Sequence, residues 1–246
     1  MATSLSGGVS SPDLILMTVS FSLMSEKSRR TYDGTRRREQ AARTRARIVE
    51  VAGRLFVERG YAGTTIPAIA AEAGVAVETV YRSATGKAGL LADAVRAAVA
   101  GGSERADVPV AERPAIRRIE AETDPVKLLQ RYAATQPGIW SRVGPLLRVL
   151  DAAANSDASL VELRERIAAD RRHGLRDGLG RLLEERGVLR FDVDAERAGD
   201  IVYAVCGQAN YLALVGDCGW SEAAYETWLA ETLIAALLPR SAGSGA

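Results

Sequence analysis

Apolar residues recur at helical spacing along this chain, with glycines, prolines and short polar runs between the periodic stretches. Ile48, Val51, Ala52, Leu55 and Phe56 stand at i, i+3, i+4, i+7 and i+8, the buried stripe of a helix that starts near Arg36 and stops at Gly60. Thr64 or Thr65 then caps a second helix with Pro67 in its first turn and Ile66, Ile69 and Ala70 apolar. Gly74 supplies a turn, a third helix covers residues 77–82, and a fourth runs from Lys87 through Leu90, Leu91, Ala94, Val95 and Ala98 to Gly101-Gly102. Residues 103–114 are polar and contain prolines, and read as a loop. Beyond it the pattern predicts helices over 115–122, 125–136, 139–154, 158–186, 195–215 and 221–238. Asp124, Asp157 and Ser221 serve as N-caps, and Gly187 as a stop. Residues 188–191 are the only strand-like piece, and no βαβ alternation, repeat or heptad is visible. The expected fold class is all-α.

Composition changes this picture in three places. Net charge is only +1, but residues 1–100 hold 14 Lys/Arg against 9 Asp/Glu while residues 101–246 hold 18 against 22. The basic excess sits in Lys27, Arg29, Arg30, Arg36, Arg37, Arg38, Arg43, Arg45 and Arg47, an arm suited to phosphates or to solvent. Cys206 and Cys218 fit a reducing, cytoplasmic setting. With His173 the only histidine and no CxxC, a metal site is not expected, nor is a cofactor. Residues 14–23 are apolar but interrupted by Thr18, Ser20 and Ser22 and too short to span a bilayer, so no membrane role is expected. Residues 1–24 read as disordered, or as sequence upstream of a start at Met24.

The stretch 45–95 has the layout of a helix-turn-helix: a bracing helix, the tight turn Ala73-Gly74-Val75, and a second helix short enough for the major groove. Ala70, Val75 and Val80 pack the two helices together. Ala76, Val77, Glu78, Tyr81 and Arg82 then face the groove, with Arg82 the candidate for a guanine and Val77 for a thymine methyl. Thr65, Thr79, Tyr81 and Lys87 are candidates for phosphates, and Arg45 joins them from the basic arm. The stretch resembles the tetracycline-repressor (TetR) family of transcriptional regulators. The resemblance rests on Ile48, Ala52, Leu55-Phe56, Arg59-Gly60-Tyr61, Thr64-Thr65, Ile69-Ala70, Ala73-Gly74-Val75, Thr79-Val80-Tyr81, Lys87 and Leu90-Leu91. It implies a homodimeric repressor on a palindromic operator, with an all-helical C-terminal half that binds an inducer and forms the dimer. Two positions depart from the pattern: Ala76, where a serine or threonine usually caps the recognition helix, and Ser83-Ala84, where His-Phe usually stands.

On this reading residues 1–34 form a disordered arm, 35–86 the DNA-binding domain and 87–102 a linking helix. Residues 103–240 form the ligand-binding and dimerisation domain, and 241–246 a disordered tail. Pocket candidates, for a small apolar or weakly polar effector, are Tyr132, Trp140, Leu147, His173, Tyr203, Gln208, Asn210 and Tyr211. By the family resemblance the last two helices pair with their counterparts in the dimer, through Val202, Val205, Ala209, Leu212, Tyr225, Trp228, Leu229 and Thr232.

Other functions find less support. No nucleophile elbow, Walker loop, dinucleotide fingerprint or HExxH occurs, so an enzyme is not expected and no catalytic residue is assigned. A DNA-binding dimer without small-molecule control, and a redox sensor built on Cys206 and Cys218, remain as alternatives.

Overall fold

The computed structural model describes residues 26–155 and 157–239, with side chains from Thr35 onward. The chain divides into two units, Met1–Ala41 and Ala42–Ala246. All regular structure among the described residues is helical.

The backbone is helical from Glu26, where α1 (Glu26–Gly63) begins. The helix thus begins ahead of the expected start near Arg36. Glu, Lys, Arg, Gln and Ala favour a helix by propensity, but a polar helix has no apolar stripe to betray it. Residues 1–25 and 240–246, including the expected tail, lie outside the described residues. Within α1, Gly60 (φ 71°) breaks the helical path, as its position predicted.

Next come α2 (Ile66–Ala73), α3 (Val77–Ser83) and α4 (Gly86–Ala100). The two threonines before α2 divide the labour. Thr65 is the N-cap and accepts from the Ala68 amide at 3.2 Å, while buried Thr64 donates to the Leu55 and Gly60 carbonyls at 3.0 and 2.8 Å. Gly74 adopts φ 63°, ψ 42°, and its amide returns to the α2 carbonyls, so the turn needs a residue that takes positive φ without strain.

The helical half contains α5 (Pro114–Glu120), α6 (Pro125–Ala133), α7 (Gln136–Ala154), α8 (Ala158–Leu175), α9 (Arg181–Glu185), α10 (Ala195–Val205), α11 (Gln208–Tyr211) and α12 (Glu222–Leu237). Asp124, Asp157 and Ser221 cap α6, α8 and α12 with side-chain bonds, as expected, and Asp194 caps α10. Two expected helices are interrupted. The helix expected over 158–186 passes through a π-helical segment, Arg176–Gly180, where Gly180 and Gly199 let it cross α10 backbone to backbone. The helix expected over 195–215 breaks at Cys206-Gly207. There Asn210 donates to the freed Ala204 and Val205 carbonyls at 3.1 and 2.9 Å, and the chain leaves α11 through a π-helical turn, Leu212–Asp217. Residues 188–191 pair with no strand; the Arg190 amide bonds the Leu237 carbonyl at 2.9 Å.

The core does not divide at residue 103. One cluster joins Ile48, Leu55, Phe56, Ile69, Val80, Leu90 and Leu91 to Trp140, Val143, Leu146 and Leu150 of α7 and Leu160 and Leu163 of α8. A second holds Leu128, Leu129, Leu183, Val202, Cys206, Tyr225, Leu229 and Leu233. Tyr211 packs against both. The front of the helical half therefore shares its core with the helix-turn-helix.

Candidate nucleic-acid interface

The inner face of α3 is fixed: Val80 is buried, and Val77 and Ala84 pack against the same core. Glu78, Tyr81 and Arg82 occupy the opposite face at i, i+3 and i+4 and are all exposed. Tyr81 is 61% exposed, a large aromatic side chain left in water. The Arg82 guanidinium donates to Thr79 Oγ1 at 3.4 Å, which holds it over the first turns of α3. Ala76 stands at the N-cap without a side-chain bond, the consequence of alanine at that position. Thr65 is exposed, and because its Oγ1 accepts from Ala68 its hydroxyl proton remains to donate outward. A short helix with a locked inner face and an exposed Glu-Tyr-Arg outer face has the shape of a groove reader.

Residues 48–94 match the family model described as bacterial regulatory proteins, tetR family. This stretch of the chain therefore carries a tetR-family DNA-binding domain. No curated protein matches the chain significantly. Solved structures do. NalD, the secondary repressor of the MexAB-OprM multidrug efflux pump in Pseudomonas aeruginosa, is 21% identical with a TM-score of 0.60, over 82% of this chain and 100% of that one. The SmeT–triclosan complex is 19% identical with a TM-score of 0.58, over 80% of this chain and 93% of that one. A Saccharomonospora viridis protein assigned as a transcriptional regulator, in complex with choline, is 22% identical with a TM-score of 0.58, over 80% and 98%. At these identities the likeness establishes the fold.

Two residues expected at phosphates are otherwise engaged in this TetR-family module. Arg45 pairs with Asp93 of α4 at 2.9 Å, and Asp93 also takes Arg96. Lys87 Nζ donates to the Tyr61 carbonyl at 2.8 Å and lies 4.1 Å from the centre of the Tyr61 ring, itself stacked on Phe56. Both cations tie α4 to α1, a role that spacing along the sequence does not reveal. The carboxyl of Asp157, at the front of α8, is held below the ordinary range by the Ser159 hydroxyl and amide, with a further contribution from Lys87. Between Ser83 and Gly86, where the family's aromatic is missing, the Ser83 hydroxyl bonds the Val80 carbonyl at 2.8 Å and Ala84 is half-buried.

The pocket candidates separate into a group and outliers. Trp140 is buried, with Arg171 of α8 over its ring at 5.3 Å and over the Tyr203 ring at 4.7 Å. Arg171 also donates to the Tyr203 and Cys206 carbonyls at 3.1 and 2.8 Å. The Tyr132 hydroxyl lies beside the Cys206 thiol, and burial pushes the tyrosine up. Burial likewise pushes the thiol up, to about 12. Tyr211 packs edge-on against Tyr225 at 5.3 Å and donates to Glu222 at 2.9 Å. Gln208 ties α11 to the Gly144 carbonyl of α7 at 3.1 Å.

His173 is the correction here: its side chain is 79% exposed and bonds Asp177 at 2.9 Å, so it faces solvent. Leu147 is half-buried against the first core, and Asn210 serves the helix break. The sequence reading missed Arg171, which sits in the charged run 170–177. Its only signal there was that it falls two residues from His173, on another face of the helix.

The interface candidates also split. Val202, Tyr225 and Leu229 are fully buried in the second core of their own chain, and Trp228, Val205 and Thr232 are half-buried, with Trp228 and Val205 packed on that core. An apolar stripe marks a buried face without saying whose atoms bury it, and here the same chain does. Ala209 is exposed and Leu212 half-exposed. On α12 the exposed positions are Glu222, Ala223, Ala224, Thr227, Glu231 and Ala235, and from Ala224 onward they line another helical face. Among the described residues no helix is long and apolar enough to cross a membrane, and no cluster of His, Cys, Asp and Glu could hold a metal ion.

Proposed function

We propose that this chain is a TetR-family regulator that binds a palindromic operator as a homodimer in the cytoplasm, represses transcription there, and is released by a small-molecule effector held in its helical half. The observation that carries the proposal is the exposed Glu78-Tyr81-Arg82 face of α3 on a helix whose other face is locked by Val80. Thr65, Thr79 and Tyr81 supply hydroxyls to phosphates, while Ala76, Glu78 and Arg82 meet base edges; Val77, expected at a thymine methyl, packs inward instead. Exposed Arg37, Arg38, Arg43 and Arg47 supply the electrostatic attraction, which weakens as salt rises. The dimer forms through the faces left open on the last helices, Ala209 and Leu212 with Ala224, Thr227 and Ala235. Complexes with triclosan and with choline in proteins of this fold support an effector site. The shared core of α4 and α7 gives the effector a path to α3, since a shift of α7 moves α4 with it.

The test is selection of bound sequences from random double-stranded DNA, repeated with Arg82→Ala. The wild type is expected to select a two-fold symmetric motif. The variant should lose preference at one base in each half-site, at about 1–3 kcal/mol per contact. Failure to enrich any motif refutes the reading of α3.

A further inference from the structure

Two hydrogen-bond donors in the helical half have no acceptor among the described residues. Trp140 is 5% exposed and its Nε1–H is unpartnered; Tyr225 is fully buried and so is its hydroxyl. They belong to different cores, Trp140 to the one shared with the helix-turn-helix and Tyr225 to the other. Arg171 joins them. Its guanidinium lies over the Trp140 and Tyr203 rings, and its hydrogen bonds end on main-chain carbonyls, one of them that of Cys206. No carboxylate pairs with Arg171 among the described residues, so its charge is answered only by carbonyl dipoles and ring faces. Its field reaches the Tyr132 and Tyr225 hydroxyls. Indole and guanidinium are donors without acceptor capacity, so the junction is rich in what an oxygen acceptor needs and is walled by aromatic rings.

We propose that the junction of the two cores binds a small ligand with a flat apolar body and acceptor oxygen, a carbonyl or a carboxylate, which takes the hydrogen bonds of Trp140 and Tyr225 beside Arg171. This rests on the reading of the helical half as effector-binding, and it gives that effector a chemical class. Such a ligand would touch a residue of each core, and since one of those cores contains α3, its occupancy would be felt there.

The test titrates the full chain, without DNA, against three near-isosteric probes: acetophenone, benzoate and isopropylbenzene, followed by ligand-observed NMR. An acceptor probe is expected to bind about tenfold more tightly than isopropylbenzene, the effect of one buried hydrogen bond. Trp140→Phe and Tyr225→Phe should each reduce that advantage and leave isopropylbenzene binding unchanged. Benzoate ahead of acetophenone, with the lead lost in Arg171→Met, assigns the oxygen to a carboxylate; acetophenone ahead assigns it to a carbonyl. Equal binding of all three, no binding of any, or an acceptor preference untouched in both phenylalanine variants overturns the proposal. The wild-type comparison decides the matter even where a variant fails to fold. A probe that binds as expected but leaves operator occupancy unchanged in a mobility-shift assay overturns only the effector reading.

Discussion

Replacing Gly199 by alanine tests the backbone-to-backbone crossing of α10 with the π-helical segment. A Cβ at this position would lie 2.6 Å from the Arg176 Cα and 2.7 Å from its N and Cγ, against 3.4 Å or more in ordinary contact. Two of those atoms are main chain, so no rotamer change relieves the overlap and α10 must retreat from the π-helical segment by about 1 Å. The retreat also pulls at the fork from Arg176 Nε and a terminal nitrogen to the Asp200 carboxylate, 2.8 and 2.7 Å, and at the Arg176–Glu196 pair. Overpacking of this kind costs about 1–3 kcal/mol, while alanine for glycine inside a helix returns about 0.5–1 kcal/mol. The expected net loss is about 1–2 kcal/mol, or roughly 2–8 °C in Tm for a chain of this size. Gly174→Ala is the matched control: Gly174 lies in α8, and a Cβ there meets nothing within 4 Å, so it should hold or raise Tm. Thermal and urea unfolding followed by far-UV circular dichroism, at one protein concentration, gives both values. Gly199→Ala as stable as Gly174→Ala would refute the crossing.

Other outcomes follow from the buried polar groups. Thr64→Val strips the Leu55 and Gly60 carbonyls of a hydroxyl donor and should cost about 1–3 kcal/mol in urea unfolding; a variant as stable as wild type refutes the clamp. Ellman's reagent at pH 8 should find one fast thiol, exposed Cys218, and reach buried Cys206 only on unfolding; two fast thiols would revive the redox sensor. Because the folded Cys206 thiol titrates near 12 rather than 9, its contribution to stability is complete below pH 9 and is lost as pH rises toward 12, which alkaline unfolding of wild type against Cys206→Ala would register.

The helix-turn-helix was legible because local chemistry defines it: Thr65 caps, Gly60 and Gly74 take positive φ, and Ile48, Leu55 and Phe56 mark one face. The helical half was legible as helices but not as an arrangement. No periodicity announces that the segment at 176–180 widens to a π-helix where it crosses α10, with Gly180 against Ala195 and Gly199 against Arg176. Arg171 was hidden for a similar reason. Its partners, Trp140, Tyr203 and Cys206, converge only after three helices have packed. On the candidate DNA face, exposure of Glu78, Tyr81 and Arg82 followed from helical spacing, whereas the engagement of Arg45 by Asp93 and of Lys87 by Tyr61 depends on where α4 lands.

The way the two cores divide the chain bears on how its parts can be recombined. A graft that takes the DNA reader and cuts in the polar loop after α4 would strip Leu90, Leu91 and Ala94 of the α7 residues that cover them, and leave a greasy stump. The transplantable unit is discontinuous: α1 to α4 together with α7 and the front of α8, with α5 and α6 looped out between them. A chimaera that respects this boundary carries its own lid, and with it the contact through which a foreign sensor would have to speak.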